Sequence, residues 1–130
     1  MDEFSDPTPI ATVEQFKAAL LTVRDRIGIS PKDLAMLRAH CRAPNHTITT
    51  TQLAKELGYS KCGAAHLLYG NFAHHIADAL HYKRQFSTGE PHWWRTLASG
   101  NDGVPVTDDG FYEWIMRPEL VQALQEMKWA

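Results

Sequence analysis

Cys62 and His66 stand one helical turn apart, the spacing at which an imidazole can draw the proton from a thiol and leave a nucleophilic thiolate. His74 and Asp78 have the same i,i+4 relation, which sets two metal-ligating side chains on one helix face. His40 and His46 flank Cys41, and the pair Trp93-Trp94 offers two flat indoles on which bases can stack. Each signal has a blander reading. His74 and Asp78 have no third ligand at useful spacing. His40 and His46 straddle a helix end and read as solvated histidines, because such loose clusters specify metal poorly. Cys62 reads as a packed or half-exposed thiol beside a surface imidazole. One side of a hairpin must meet the core, so at least one indole is structural. The expectation is a protein that is not an enzyme, with no catalytic residues, no metal and no cofactor.

Charge points to a different chemistry. From Lys32 to Arg84 the bases Lys32, Arg38, Arg42, Lys55, Lys61, Lys83 and Arg84 face only Asp33, Glu56 and Asp78, a balance of +4 in a chain whose net charge is −2. The first 31 residues carry −2, and residues 85–130 carry −4. Six of the seven histidines lie in the basic middle, where an approaching anion would favour their charged form. A basic centre with acidic flanks permits a phosphate-bearing partner.

The elements that must carry these groups are legible from their ends. With 130 residues and 44% hydrophobic content, one ordinary core and one domain are expected, behind a flexible acidic tail over residues 1–11. Thr12 with Gln15 forms a capping box, and Phe16, Leu20, Val23 and Ile27 recur at helical spacing up to Gly28. Ser30 caps a second helix, with Pro31 at its first position, Asp33 in the first turn and Leu34, Leu37 and Cys41 as its stripe. Pro44 stops it.

The segment TTTQLAKELGYSKCGAAHLLYG, residues 49–70, then opens with Thr49 as cap and Gln52 three places on. The spacing predicts a short helix from Thr50 to Leu57, ended by Gly58, and a new helix capped by Ser60. Such a corner needs a small residue at the helix contact, a glycine for positive φ at the turn, and apolar residues to lock the crossing. Ala54, Gly58, and the set Leu53, Leu57, Ala64 and Leu67 supply them. With this spacing the segment resembles a DNA-binding helix-turn-helix. The next helix runs through Leu68, Phe72, Ile76 and Leu80, with a kink or interruption expected at Gly70-Asn71.

Two aromatic runs follow, HWWRTLA at 92–98 and FYEWIM at 111–116, and read as strands paired in a hairpin. Their polar 12-residue connector, SGNDGVPVTDDG, suits a wing. Arg117-Pro118 begins a last helix over 118–128, with Leu120, Leu124 and Met127 on one stripe. The expected fold is mainly α (α+β), a winged helix-turn-helix over 12–130 with extra flanking helices and a two-stranded β-hairpin wing at 92–116. The residues MLRAHCRAPNHTITTTQLAKELGYSKCGAAHLLYG, the Trp93-Trp94 pair and the ending WIMRPELVQAL also resemble the winged-helix domain of bacterial restriction-type proteins, found alone or ahead of an HNH endonuclease domain. The likeness spans about residues 30–128. It implies recognition of double-stranded DNA, regulatory or linked to restriction and defence, without nuclease catalysis, because the chain stops where such a domain would begin.

On that reading the second helix of the corner enters the major groove and sets Ser60, Lys61, Gly63, Ala65, His66 and Tyr69 at base edges. Thr49, Thr50, Thr51 and Gln52 would hold phosphate through hydroxyls and backbone N–H groups, and Arg42, His46 and Lys55 would add charge along the backbone. Two features count against DNA. The wing carries Asp102, Asp108 and Asp109 and no base, and the recognition helix lacks arginine. The alternative is a protein-interaction module of phage or mobile-element type that modulates a defence or nucleic-acid-processing complex. Paired half-sites make a homodimer through the outer helices a further expectation. No run of about 18 apolar residues is present, the stretch MDEFSDPTPIAT is acidic and polar where a secretory signal is expected to be basic and then apolar, and Cys41 and Cys62 form no CxxC pair, so a cytoplasmic protein with free thiols and no membrane partner is expected.

Overall fold

The computed structural model describes residues 9–82, 93–100 and 112–130. Its helices begin where the sequence supplies partners for orphan N–H groups. In α1 (Val13–Arg26) the Gln15 N–H donates to Thr12 Oγ1 at 3.1 Å and the Thr12 N–H to Gln15 Oε1 at 2.8 Å. Ser30 and Asp33 make the same reciprocal pair at the start of α2 (Pro31–Arg42). α1 buries Phe16, Ala19, Leu20 and Val23, whereas Ile27, expected on that stripe, falls past the helix end and is exposed. Ile10 and Ala11, expected in a flexible tail, pack onto the core beside the α1 entry.

After α2, Asn45 and His46 take left-handed φ values of 56° and 55° and turn the chain sharply. The turn feeds a strand that sequence reading missed, β1 (Thr47–Thr49), which passes directly into α3 (Thr50–Leu57). Thr49 ends the strand and caps the helix. Gly58 terminates α3 at φ 79°, and the Tyr59 N–H reaches back to the Ala54 carbonyl at 2.8 Å, closing a Schellman turn. Lys32 Nζ donates to the Leu57 carbonyl at 2.9 Å while lying over the Tyr59 ring, so this lysine helps hold the α3 end.

α4 (Cys62–Leu80) runs unbroken through Gly70-Asn71, where a kink was expected. Tyr69 on one side of the glycine and Phe72, Ala73, Ile76 and Ala77 on the other are buried, and their packing outweighs the roughly 1 kcal/mol that glycine costs inside a helix. The helix ends at His81, which adopts φ 57°.

The aromatic run beginning at Trp93 also departs from expectation. Trp93–Thr96 forms a 3-10 turn, and β2 covers only Ala98–Gly100. A strand turns alternate side chains to opposite faces, yet Trp94, Arg95, Thr96, Leu97 and Ala98 are buried in succession, which a coiled turn accommodates. β3 (Glu113–Met116) lies between the other two strands, giving an antiparallel sheet of order β1-β3-β2 with Ile48 opposite Trp114 and Gly100 opposite Trp114 on the other edge. The expected two-stranded hairpin is thus a three-stranded sheet. A Cβ on Gly100 would run into the Tyr112 ring and hydroxyl, so any larger residue at that position must displace the Tyr112 side chain.

α5 (Pro118–Glu126) packs Leu120, Ala123 and Leu124 inward and lies against α1, with Lys17 paired to Glu126 across the two helices. The chain is therefore mainly helical with a small antiparallel sheet. The core joins α1, α4 and α5 to the sheet through Trp94, Tyr69 and Trp114. Arg95 and Arg117 are buried: Arg117 donates from Nε and Nη2 to the Arg95 carbonyl at 3.0 and 2.8 Å, and the Arg95 guanidinium lies over the Trp94 ring. Among the described residues no helix is long and apolar enough to cross a membrane.

Candidate nucleic-acid interface

The corner between α3 and α4 presents its exposed side chains from two short surfaces. On α3 these are Thr51, Gln52, Lys55 and Glu56; at the turn and on α4 they are Ser60, Lys61, Gly63, Ala64, His66, Leu67 and Asn71. Arg42 joins them from the end of α2, at the rim of a cleft of about 650 Å³ bounded by α2, β1 and α3 and lined also by Arg38, Gln52 and Glu56. Arg42, Lys55 and Lys61 make no ion pair with any described residue. Two other cations of the basic segment are tied to backbone: Lys32 to Leu57, and Arg38, whose Nε donates to the Trp129 carbonyl at 2.7 Å.

Several residues expected at this surface lie elsewhere. Ala65 and Tyr69 are fully buried, because the inward phase of α4 runs through Ala65, Tyr69, Phe72 and Ile76. Leu67 and Ala64, expected to lock the helix crossing, point outward for the same reason, and Leu67 is 64% exposed. The recurrence of 65, 69, 72 and 76 at helical spacing was the signal that would have found this phase. Thr49 and Thr50 are buried, and the Thr49 hydroxyl is occupied in accepting from the Gln52 N–H at 3.1 Å while Gln52 Oε1 accepts from the Thr49 N–H. These groups serve the helix start and are withdrawn from phosphate. Ser60 is exposed without capping α4; Lys61 holds the cap position, with no side-chain bond to the helix.

The buried phase ends in a polar link. His40, expected in solvent, is fully buried. Its Nε2 lies 2.9 Å from the Trp114 carbonyl, which can only accept, so Nε2 carries the hydrogen and Nδ1 accepts from the Tyr69 hydroxyl at 2.9 Å. Burial pushes the His40 pKa down from 6.5 to about 4, and raises that of the Tyr69 hydroxyl. The Tyr69 ring lies 4.4 Å from the Trp114 ring, and the exposed His66 meets the same indole edge-on at 5.4 Å. α2, α4 and β3 are joined at this point.

The other chemical signals resolve into packing. His46 donates from Nδ1 to the Cys41 carbonyl at 2.6 Å. The Cys41 thiol is buried and its pKa raised by desolvation, and Cys62 is half-buried; both are free thiols. His74 stacks in parallel on Trp93 at 4.0 Å and lies 3.7 Å from Asp78, while Trp94 is a core residue. Among the described residues no group of three or more histidines, cysteines or carboxylates could hold a metal ion. Asp102, Asp108 and Asp109 of the expected wing, and Lys83 and Arg84, lie outside the described residues. The chain matches no protein-family model, no curated protein and no solved structure.

Proposed function

We propose that this chain binds double-stranded DNA as a winged helix-turn-helix domain, with the first half of α4 in the major groove and α3 along the backbone. The succession α2-β1-α3-α4-β2-β3, with β3 between β1 and β2, supports the winged form. The observation that carries the reading is the set of exposed cations that make no ion pair with any described residue, Lys55 and Lys61 beside the α3–α4 turn and Arg42 at the end of α2. Ser60, Gly63 and His66 then face base edges, and Thr51, Lys55, Lys61 and Arg42 face phosphates. A role in regulation or in restriction and defence belongs to this proposal through the resemblance of the corner and its flanking segments.

The test is a titration of fluorescent random-sequence duplex at several salt concentrations. Affinity is expected to fall steeply with salt, and Lys55→Ala and Lys61→Ala are each expected to weaken binding and to lower the log–log salt slope by about one. Duplex binding that is absent, or that ignores salt and both substitutions, overturns the proposal. The second reading, docking of a protein on the same face, has the open apolar side chain of Leu67 in its favour.

A further inference from the structure

The middle of the exposed α4 face is made of Gly63, Ala64, Leu67 and, one turn beyond Leu67, Asn71. Guanine is most often read by the guanidinium fork of arginine, and the sequence has no arginine between Arg42 and Arg84. The groups on the face match another pair. The thymine C5-methyl is the apolar feature of the major groove, and a leucine left 64% exposed gains most from covering such a group. Adenine, the partner of thymine, offers N7 as acceptor and N6–H₂ as donor, which a carboxamide such as that of Asn71 engages with both its atoms. Gly63 carries no Cβ, and nothing lies within 4 Å of where one would stand, so the helix can seat deeply.

We infer that α4 selects A·T base pairs, with Leu67 and Ala64 against thymine methyl groups and Asn71 on the adenine edge. This rests on the DNA-binding reading above. Lys55, Lys61 and Arg42 supply affinity without selectivity, and the apolar and amide groups of the α4 face supply the choice of base.

Wild-type protein and the variants Leu67→Ala and Asn71→Ala are titrated with short duplexes of alternating A·T, A·U and G·C sequence, each over a range of salt. Uracil lacks only the methyl group, so the A·T to A·U comparison isolates it. Wild type is expected to bind A·T about ten-fold more tightly than G·C, and A·U roughly four-fold more weakly than A·T for each methyl contacted. Leu67→Ala should shrink the A·T to A·U difference at an unchanged salt slope, and Asn71→Ala should shrink the preference over G·C. Equal affinity for A·T and A·U, or a preference for G·C, with the salt slope intact overturns the inference and leaves DNA binding standing. Absence of salt-dependent binding to every duplex overturns both.

Discussion

His40 shows how one side chain can link three elements. It is buried and neutral, donating to the Trp114 carbonyl of β3 and accepting from Tyr69 of α4. Its folded pKa of about 4 lies below the ordinary 6.5, so the unfolded chain binds the proton more readily. Its contribution to stability is therefore complete above pH 6.5 and is lost as pH falls towards 4, a change of about 3 kcal/mol across the window. Urea midpoints measured on either side of the window should fall less for His40→Gln than for wild type; an equal fall would mean that other groups drive the change. Tyr69→Phe leaves the buried Nδ1 without its donor and should cost about 1–3 kcal/mol at neutral pH. Because Tyr69 is covered, that variant should keep the wild-type affinity for duplex at a given salt concentration, which a variant losing a base-contacting tyrosine hydroxyl would not. Sequence alone offered no access to this link, since His40, Tyr69 and Trp114 are far apart along the chain and the polar groups of His40 and Tyr69 suggested the surface.

At the scale of elements, local chemistry fixed the ends and packing fixed the rest. The limits of α3 were legible to the residue, because Thr49 with Gln52 opens the helix and Gly58 closes it through contacts within a few positions. The continuity of α4 was not, because glycine's propensity opposes it and distant burial overrides it. The two glycines should therefore respond oppositely to the same change. Gly70 lies inside a helix with nothing within 4 Å of an added Cβ, so Gly70→Ala should stabilise by about 0.5–1 kcal/mol. Gly58 sits at φ 79°, so Gly58→Ala should destabilise by about 1–2 kcal/mol. Thermal unfolding followed by circular dichroism measures both, and stabilisation by Gly58→Ala would contradict the left-handed turn. The run at 92–98 misled for a related reason: Trp and Thr favour strands, but a strand at Trp93–Thr96 could not have buried consecutive side chains.

Across the whole molecule the core is one cluster reaching from Ala11 to Leu124, and every α-helix and each strand contributes to it. Unfolding should accordingly be a single transition, with the fluorescence of the four tryptophans, of which Trp94 and Trp114 are buried in the core, coinciding with far-ultraviolet circular dichroism, which reports the helices. Separated midpoints would show that α1 and α5 fold apart from the sheet. The charge map is also a property of the whole: Arg95 and Arg117 leave the surface, Lys32 and Arg38 bind backbone carbonyls, and Arg42, Lys55 and Lys61 remain available near the α3–α4 corner. Helix starts, the glycine turn and the mainly helical composition could be read from residues three to five apart, because caps and turns are closed by near neighbours. The face that α4 turns outward, the third strand at Thr47–Thr49 and the burial of His40 depended on partners tens of residues away, and no local pattern encodes which side of a helix another part of the chain will cover.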